Sequence, residues 1–113
     1  MERKVPYITY LLNSKEDLKE RLKERINQIK KNIESVEKEY GNDNKIIVKN
    51  SAMIDLKEAL VLALSYLAMS NSNKVDEYKD KVIQKLAHIR ENRILTLDQY
   101  RDTYWLLKQI LEL

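Results

Sequence analysis

Residues 15–40 read KEDLKERLKERINQIKKNIESVEKEY. Within them, apolar side chains recur at Leu18, Leu22, Ile26, Ile29, Ile33, Val36 and Tyr40, at steps of 4, 4, 3, 4, 3 and 4. Those steps stay on one face of a helix with 3.6 residues per turn, so the segment is predicted to be a single amphipathic helix. Ser14 begins Ser-Lys-Glu-Asp: a hydroxyl suited to the N-cap, followed by carboxylates that favour the positive end of the helix. At the other end stands the only glycine of the chain, Gly41, which is free to take the positive φ that closes a helix.

Charge along this helix is sorted by sign. At ~100° per residue, Lys19, Lys23 and Lys30 follow one flank of the seam, while Arg21 and Arg25 follow the other. Glu16, Asp17, Glu20 and Glu24 collect behind. The rows Lys15/Lys19/Lys23, Glu16/Glu20/Glu24 and Arg21/Arg25 place like signs at i,i+4, a spacing that costs a little, relieved in part by Glu16–Lys19 and Glu20–Lys23. Long basic side chains also flank apolar seams simply because their stems cover it while their heads stay in water. The basic rows therefore fit solvation, an acidic protein partner, or a nucleic-acid backbone. No aromatic interleaves them, so the helix offers no platform for stacking bases.

Outward from this helix, the chain keeps reading as helix. Only one Gly and one Pro occur in 113 residues, which leaves little material for hairpins or phosphate-cradling glycine loops. Residues 51–70 form a second predicted helix, with Asn50 or Ser51 as its cap. Its run Ala59–Met69, ALVLALSYLAM, has no polar face, so this helix is expected at the centre, surrounded by the others. A third is predicted over 74–91, started by Asn73 with Asp76 and striped by Val75, Tyr78, Val82, Leu86 and Ile89. A fourth, over 97–112, opens on the capping box Thr96-Leu-Asp-Gln99 and carries Tyr100, Tyr104, Leu107 and Leu111. The β-branched run Ile46-Ile-Val48 reads either as a brief extended segment or as an apolar connection under the bundle, and the second is favoured. Residues 1–13 are an apolar lead-in.

The expected fold is thus all-α: one four-helix bundle-like domain with a long amphipathic first helix and a central, nearly all-apolar second helix. At ~1.5 Å per residue the first helix is ~40 Å long, longer than its neighbours. It is therefore expected to project beyond the bundle, or to pair its 18–40 seam with a second copy of the chain.

Composition narrows function mainly by exclusion. The net charge of +3 is modest, with 12 basic and 9 acidic residues in the first 50 positions. Nucleic-acid-binding domains are usually far more basic. No cysteine is present, so there is no disulfide, thiolate nucleophile or zinc–thiolate site. Neither a signal-peptide pattern nor an apolar run of ~20 residues is found, so the expected location is cytoplasmic, without membrane insertion. His88, the only histidine, is expected among Lys81, Lys85 and Glu91 in solvent, without an orienting partner. No carboxylate pair stands at Glu-x-x-His spacing, and no hydrolase, kinase or metalloprotease motif occurs. No enzyme activity, cofactor or metal is expected.

Trp105 is the second clue. It lies ~100° from the fourth helix's stripe, with Arg101 at i−4 and Lys108 at i+3. These residue types are enriched among binding hot spots. Alternatively, Val5, Tyr7, Ile8 and Leu11 of the lead-in fold back and cover it.

In size and charge the chain resembles the cytosolic helical-bundle immunity proteins of bacteriocin systems, on architecture and without a diagnostic motif. Together these features lead us to expect a non-catalytic binding protein acting stoichiometrically on a macromolecular partner, as an adaptor, inhibitor, immunity factor or small subunit. The expected contact residues are Lys19, Arg21, Lys23, Arg25 and Lys30 on the first helix, and Arg101, Trp105 and Lys108 on the fourth. A protein partner ranks first. A nucleic-acid-backbone-binding subunit of a ribonucleoprotein complex and a self-associating structural protein are the alternatives.

Overall fold

The computed structural model describes residues 14–113, so the apolar lead-in, with Val5, Tyr7, Ile8 and Leu11, lies outside the described residues. Among the described residues four helices follow one another: α1 (Lys15–Tyr40), α2 (Asn50–Ala68), α3 (Val75–Asn92) and α4 (Leu97–Leu111). This is the all-α, four-helix bundle-like fold expected from the pattern.

Two helix ends form through the chemistry anticipated for them. The Ser14 hydroxyl accepts the Asp17 amide at 3.3 Å, and the Gly41 amide donates to the Glu37 carbonyl at 2.8 Å with φ at 74°. Nothing lies within 4 Å of a Cβ built on Gly41, so backbone conformation alone calls for glycine there. The Thr96 capping box also closes: Thr96 N–H donates to Gln99 Oε1 at 3.0 Å, and Gln99 N–H to Thr96 Oγ1 at 3.3 Å.

The caps predicted for α2 and α3 do not form. Lys49 and Lys74 occupy those cap positions without side-chain hydrogen bonds, and α2 stops at Ala68. In place of Asn73, Ser72 shapes the turn before α3, its hydroxyl accepting the Lys74 amide at 3.1 Å. Both starts are exposed, and water can satisfy first-turn amides.

The 46–48 run combines both readings of it, being briefly extended and tucked under the bundle. Ile47 pairs antiparallel with Thr96: Val48 N–H donates to Leu95 O at 2.9 Å and Leu97 N–H to Ile46 O at 2.7 Å. Val48 is buried and Ile46 half-buried, so the segment also tucks under the bundle. Its pairing ties the entry of α2 to the entry of α4.

The helices run up, down, up, down. α2 packs against α1, α3 and α4, while α1 packs against α2 and α4. Contact across the α2–α4 diagonal makes this a flattened bundle, with α1 and α3 on opposite flanks of α2. Leu56, Ala59, Leu60, Ala63 and Leu67 of α2 are completely buried, as a central helix requires.

The burial is incomplete on one side, however. Ile54 and Val61 of α2 stand exposed, which corrects the expectation that other helices surround it. Three neighbours occupy two flanks and the back of a helix and leave its front open.

The α1 seam is also used differently from expectation. Leu22, Ile26, Ile29 and Ile33 are buried against α2 and α4, with Leu18 and Val36 partly covered. Each such burial is worth roughly 1.5–3 kcal/mol, so these turns are spent on folding the chain itself. Along Leu22–Ile33 no apolar strip is left for a second copy to complete; only Tyr40, at the far end, is exposed.

Candidate functional site

The residues singled out on sequence grounds fall into separate places. On α1, the arginine flank faces α2. Arg25 reaches Asp55 at 3.6 Å and Glu58 at 3.3 Å, while Arg21 and Glu24 line a hollow between the two helices. Lys19, Lys23 and Lys30 lie on the opposite flank, the side that meets α4, and among the described residues form no ion pair. The i,i+3 relief expected from Glu16 and Glu20 is therefore not made.

On α4 the expected trio separates. Trp105 is 59 % exposed, its ring edge-on to Tyr104 with centroids 5.3 Å apart. Lys108 lies 6.0 Å over the Tyr104 ring, at the outer limit of a cation–π contact. Arg101 is turned inward: Nε and Nη2 donate to Glu37 Oε2 at 3.1 and 2.7 Å, Nη2 to Asn42 Oδ1 at 3.0 Å and Nη1 to Asn44 Oδ1 at 2.6 Å. The guanidinium fork thereby clamps the end of α1 and the following loop onto α4. Acceptors within the chain hold Arg101 in this position, while Lys108 lies over the ring of Tyr104, the aromatic neighbour of Trp105.

His88 is half-buried, not solvated. Its Nδ1 lies 3.1 Å from the Asn92 amide, and the residues around it include Gln84, Lys85 and Gln99. Lys85, beside it, pairs with Asp102 at 2.8 Å, and among the described residues no carboxylate forms an ion pair with the imidazole. Among the described residues, no cluster of three or more histidines and carboxylates could hold a metal ion.

A polar network joins three helices beneath the surface. Asn32 Nδ2 of α1 donates to Asp55 Oδ2 of α2 at 2.9 Å and to the Tyr100 hydroxyl of α4 at 3.1 Å. That hydroxyl donates in turn to the Ala52 carbonyl at 2.9 Å. Burial pushes the Tyr100 phenol up to about 12; the Asn32 hydrogen bond opposes this and the Asp55 charge adds to it. Every member has a partner, and the network fixes the register of α1, α2 and α4.

What the structure assembles instead is a face formed by α1, α2 and α3. Ile54 (56 % exposed) and Val61 rise from α2, and Ile83 (53 % exposed) from α3. Three hollows lie along this face, and Lys57 lines all of them. The α1–α2 hollow, about 620 Å³, contains its own counter-charges: Glu24 and Glu58 accompany Arg21 and Arg25.

The two α2–α3 hollows, about 410 and 330 Å³, differ in character. Among the described residues, apolar side chains line them (Met53, Ile54, Ile83, Leu86, Ala87, Ile89), together with Asn50, Lys57, Arg90 and Arg93 and no carboxylate. Among the described residues Lys57, Arg90 and Arg93 form no ion pair.

Arg93 also has an unusual backbone. It closes α3 in the left-handed region, at φ 59°, ψ 12°, its amide donating to Ile89 O at 2.8 Å. Glycine or asparagine usually occupies that position, and a bulky residue there costs about 1 kcal/mol.

Sequence reasoning missed Ile54, Val61, Ile83, Lys57, Arg90 and Arg93. A signal was nevertheless present: Ile83 follows Val82 directly and lies off the α3 stripe, which widens its apolar arc beyond one neighbour's needs. Searches against known protein families, characterised proteins and solved structures returned no match.

Proposed function

We propose that this chain is a non-catalytic binding protein that acts stoichiometrically on a protein partner, through the face where α2 is uncovered. One observation carries the reading: the central helix of the bundle presents Ile54 and Val61 to solvent, with Ile83 of α3 beside them. Isolated apolar residues on a surface are ordinary, but several collected over hollows on one face mark interaction sites. Adaptor, inhibitor, immunity factor and small subunit are all roles such a protein fills. A cytoplasmic setting accords with a cysteine-free chain, and no described helix is long and apolar enough to cross a membrane.

The test is affinity capture from the native host with the wild-type chain and with Ile54→Asp/Ile83→Asp. Both positions are exposed, so the variant should retain the helical circular-dichroism spectrum and melting transition of the wild type. A protein retained at equimolar amounts by the wild type and lost from the variant is the expected result. Equal retention by both chains would refute the assignment to this face.

A second reading, contact with a nucleic-acid backbone, draws on Lys19, Lys23 and Lys30, whose ammonium groups have no carboxylate within ion-pair distance among the described residues. It requires binding of duplex RNA or DNA that weakens steeply with salt and is lost in the Lys19→Glu/Lys23→Glu/Lys30→Glu chain. Absence of a mobility shift at low salt eliminates it.

A further inference from the structure

We propose that the groove between α2 and α3 receives an acidic amphipathic helix of the partner, about three turns long. The inference rests on the protein-binding reading above and specifies the chemistry of what binds. The partner's apolar stripe seats on Ile54, Ile83 and Ala87, and its carboxylates meet Lys57, Arg90 and Arg93.

Shape comes first. The two hollows meet end to end, sharing Lys57 and Arg90, and on α3 they extend from Ile83 to Arg93. At ~1.5 Å per residue that stretch is ~15 Å long, enough for an i, i+3/i+4, i+7 set of helical anchors (~10.5 Å) with about one further turn. Antiparallel helices packed side by side leave a cleft whose natural filler is a third helix laid along it.

Charge selects the occupant. Among the described residues the groove is lined by cations and no carboxylate, so two copies of this chain meeting groove to groove would set Lys57, Arg90 and Arg93 against their own kind. A nucleic-acid backbone would satisfy the cations but leave the isoleucines wet or pressed against phosphates. An acidic amphipathic helix satisfies both.

Basic residues at the end of α3 also suit its negative dipole, worth a few tenths of a kcal/mol. That accounts for their sign. It accounts neither for the exposed Ile54 and Ile83 nor for an arginine held at a φ that glycine adopts freely.

To test this, p-benzoylphenylalanine replaces Asn50 at the rim of the groove in one full-length chain, and Gln109, on the helix of Trp105, in another. Each is irradiated in native-host lysate and the crosslinked peptides are sequenced. The expected product, formed only from the Asn50 position, is a segment with an apolar helical stripe flanked by Asp and Glu. That segment, made as a labelled synthetic peptide, should bind the wild-type chain and weaken about tenfold or more when salt rises from about 50 to 300 mM.

Lys57→Glu/Arg90→Glu should weaken it at least about tenfold while lowering the melting temperature by no more than a few degrees, the loss of the favourable charge at the end of α3. Arg93→Gly should weaken it while raising the melting temperature by a few degrees, a combination a purely structural arginine would not produce. A partner that crosslinks only from Gln109, or a peptide indifferent to these three residues, overturns the groove assignment and leaves the protein-binding reading standing. Crosslinks to a second copy or to nucleic acid overturn the proposed occupant. Failure of the wild-type chain to capture any protein at equimolar amounts removes both.

Discussion

Replacing Tyr100 with phenylalanine should destabilise the chain at neutral pH and cease to do so in alkali. The Tyr100 hydroxyl donates to Ala52 O at 2.9 Å and accepts from Asn32 Nδ2 at 3.1 Å, and its side chain is almost wholly buried. Asn32 keeps its bond to Asp55 in the variant. The net loss is therefore about 1–2 kcal/mol at pH 8, the usual yield of such bonds after exchange with water.

Alkali changes the comparison because the folded phenol ionises near pH 12, against 10.0 when free of the fold. A raised pKa of this kind means the stabilisation is complete below pH 10 and is lost as pH climbs toward 12. At pH 11 most unfolded chains have released the Tyr100 proton and most folded ones have not, which costs the wild type about 1.4 kcal/mol. Phenylalanine has nothing to release. The penalty of the substitution should thus shrink to near zero at pH 11.

Thermal melts of both chains, by circular dichroism at pH 8 and pH 11, measure it. At roughly 4–8 °C per kcal/mol for a domain of this size, a gap of several degrees should close. All other ionisable groups are the same in the two chains and cancel from the difference. A gap of equal size at both pH values would refute the account of Tyr100 as a buried phenol with both bonds made.

Three other outcomes bear on the remaining features. Arg101→Ala should cost about 1–2 kcal/mol and speed amide hydrogen exchange in residues 42–45, while Arg101→Lys recovers little because an ammonium lacks the fork that spans Glu37, Asn42 and Asn44. Light scattering should report 13.5 kDa, since the α1 seam is closed by α2 and α4; twice that mass would contradict the consumed seam. Trp105, the sole tryptophan, should be quenched by iodide almost as readily as a free indole, and Trp105→Ala should lower stability by no more than about 1 kcal/mol, the worth of its edge contact with Tyr104.

Helices were legible because their code is local. Steps of three and four along α1, a hydroxyl at Ser14, a glycine at position 41 and a capping box at Thr96 each act within a turn or two of chain. The caps of α2 and α3 were misplaced for the converse reason. There the nearest hydrophilic residue was credited with a role that exposed amides can leave to water.

Of the candidate site, residue types were legible and partnerships were not. Arg25 and Arg101 looked available in sequence because Glu58 is 33 positions from one and Glu37 is 64 positions from the other. Only folding brings those carboxylates within reach. Ile54 and Val61 were hidden in the opposite sense, since an apolar residue on a helix apolar all round looks buried by default.

By itself, then, the sequence determined the class of object: the four helices of the described residues and the capped ends of α1 and α4. Periodicity and capping dictate these through contacts between residues a few positions apart. Tertiary structure alone decided which apolar and charged surfaces remained for use. It spent the seam of α1 and the fork of Arg101 inside the molecule, and it left Ile54, Ile83, Lys57, Arg90 and Arg93 together outside. Exposure depends on how many neighbours a helix acquires and on which sides, and no spacing along a single chain encodes that.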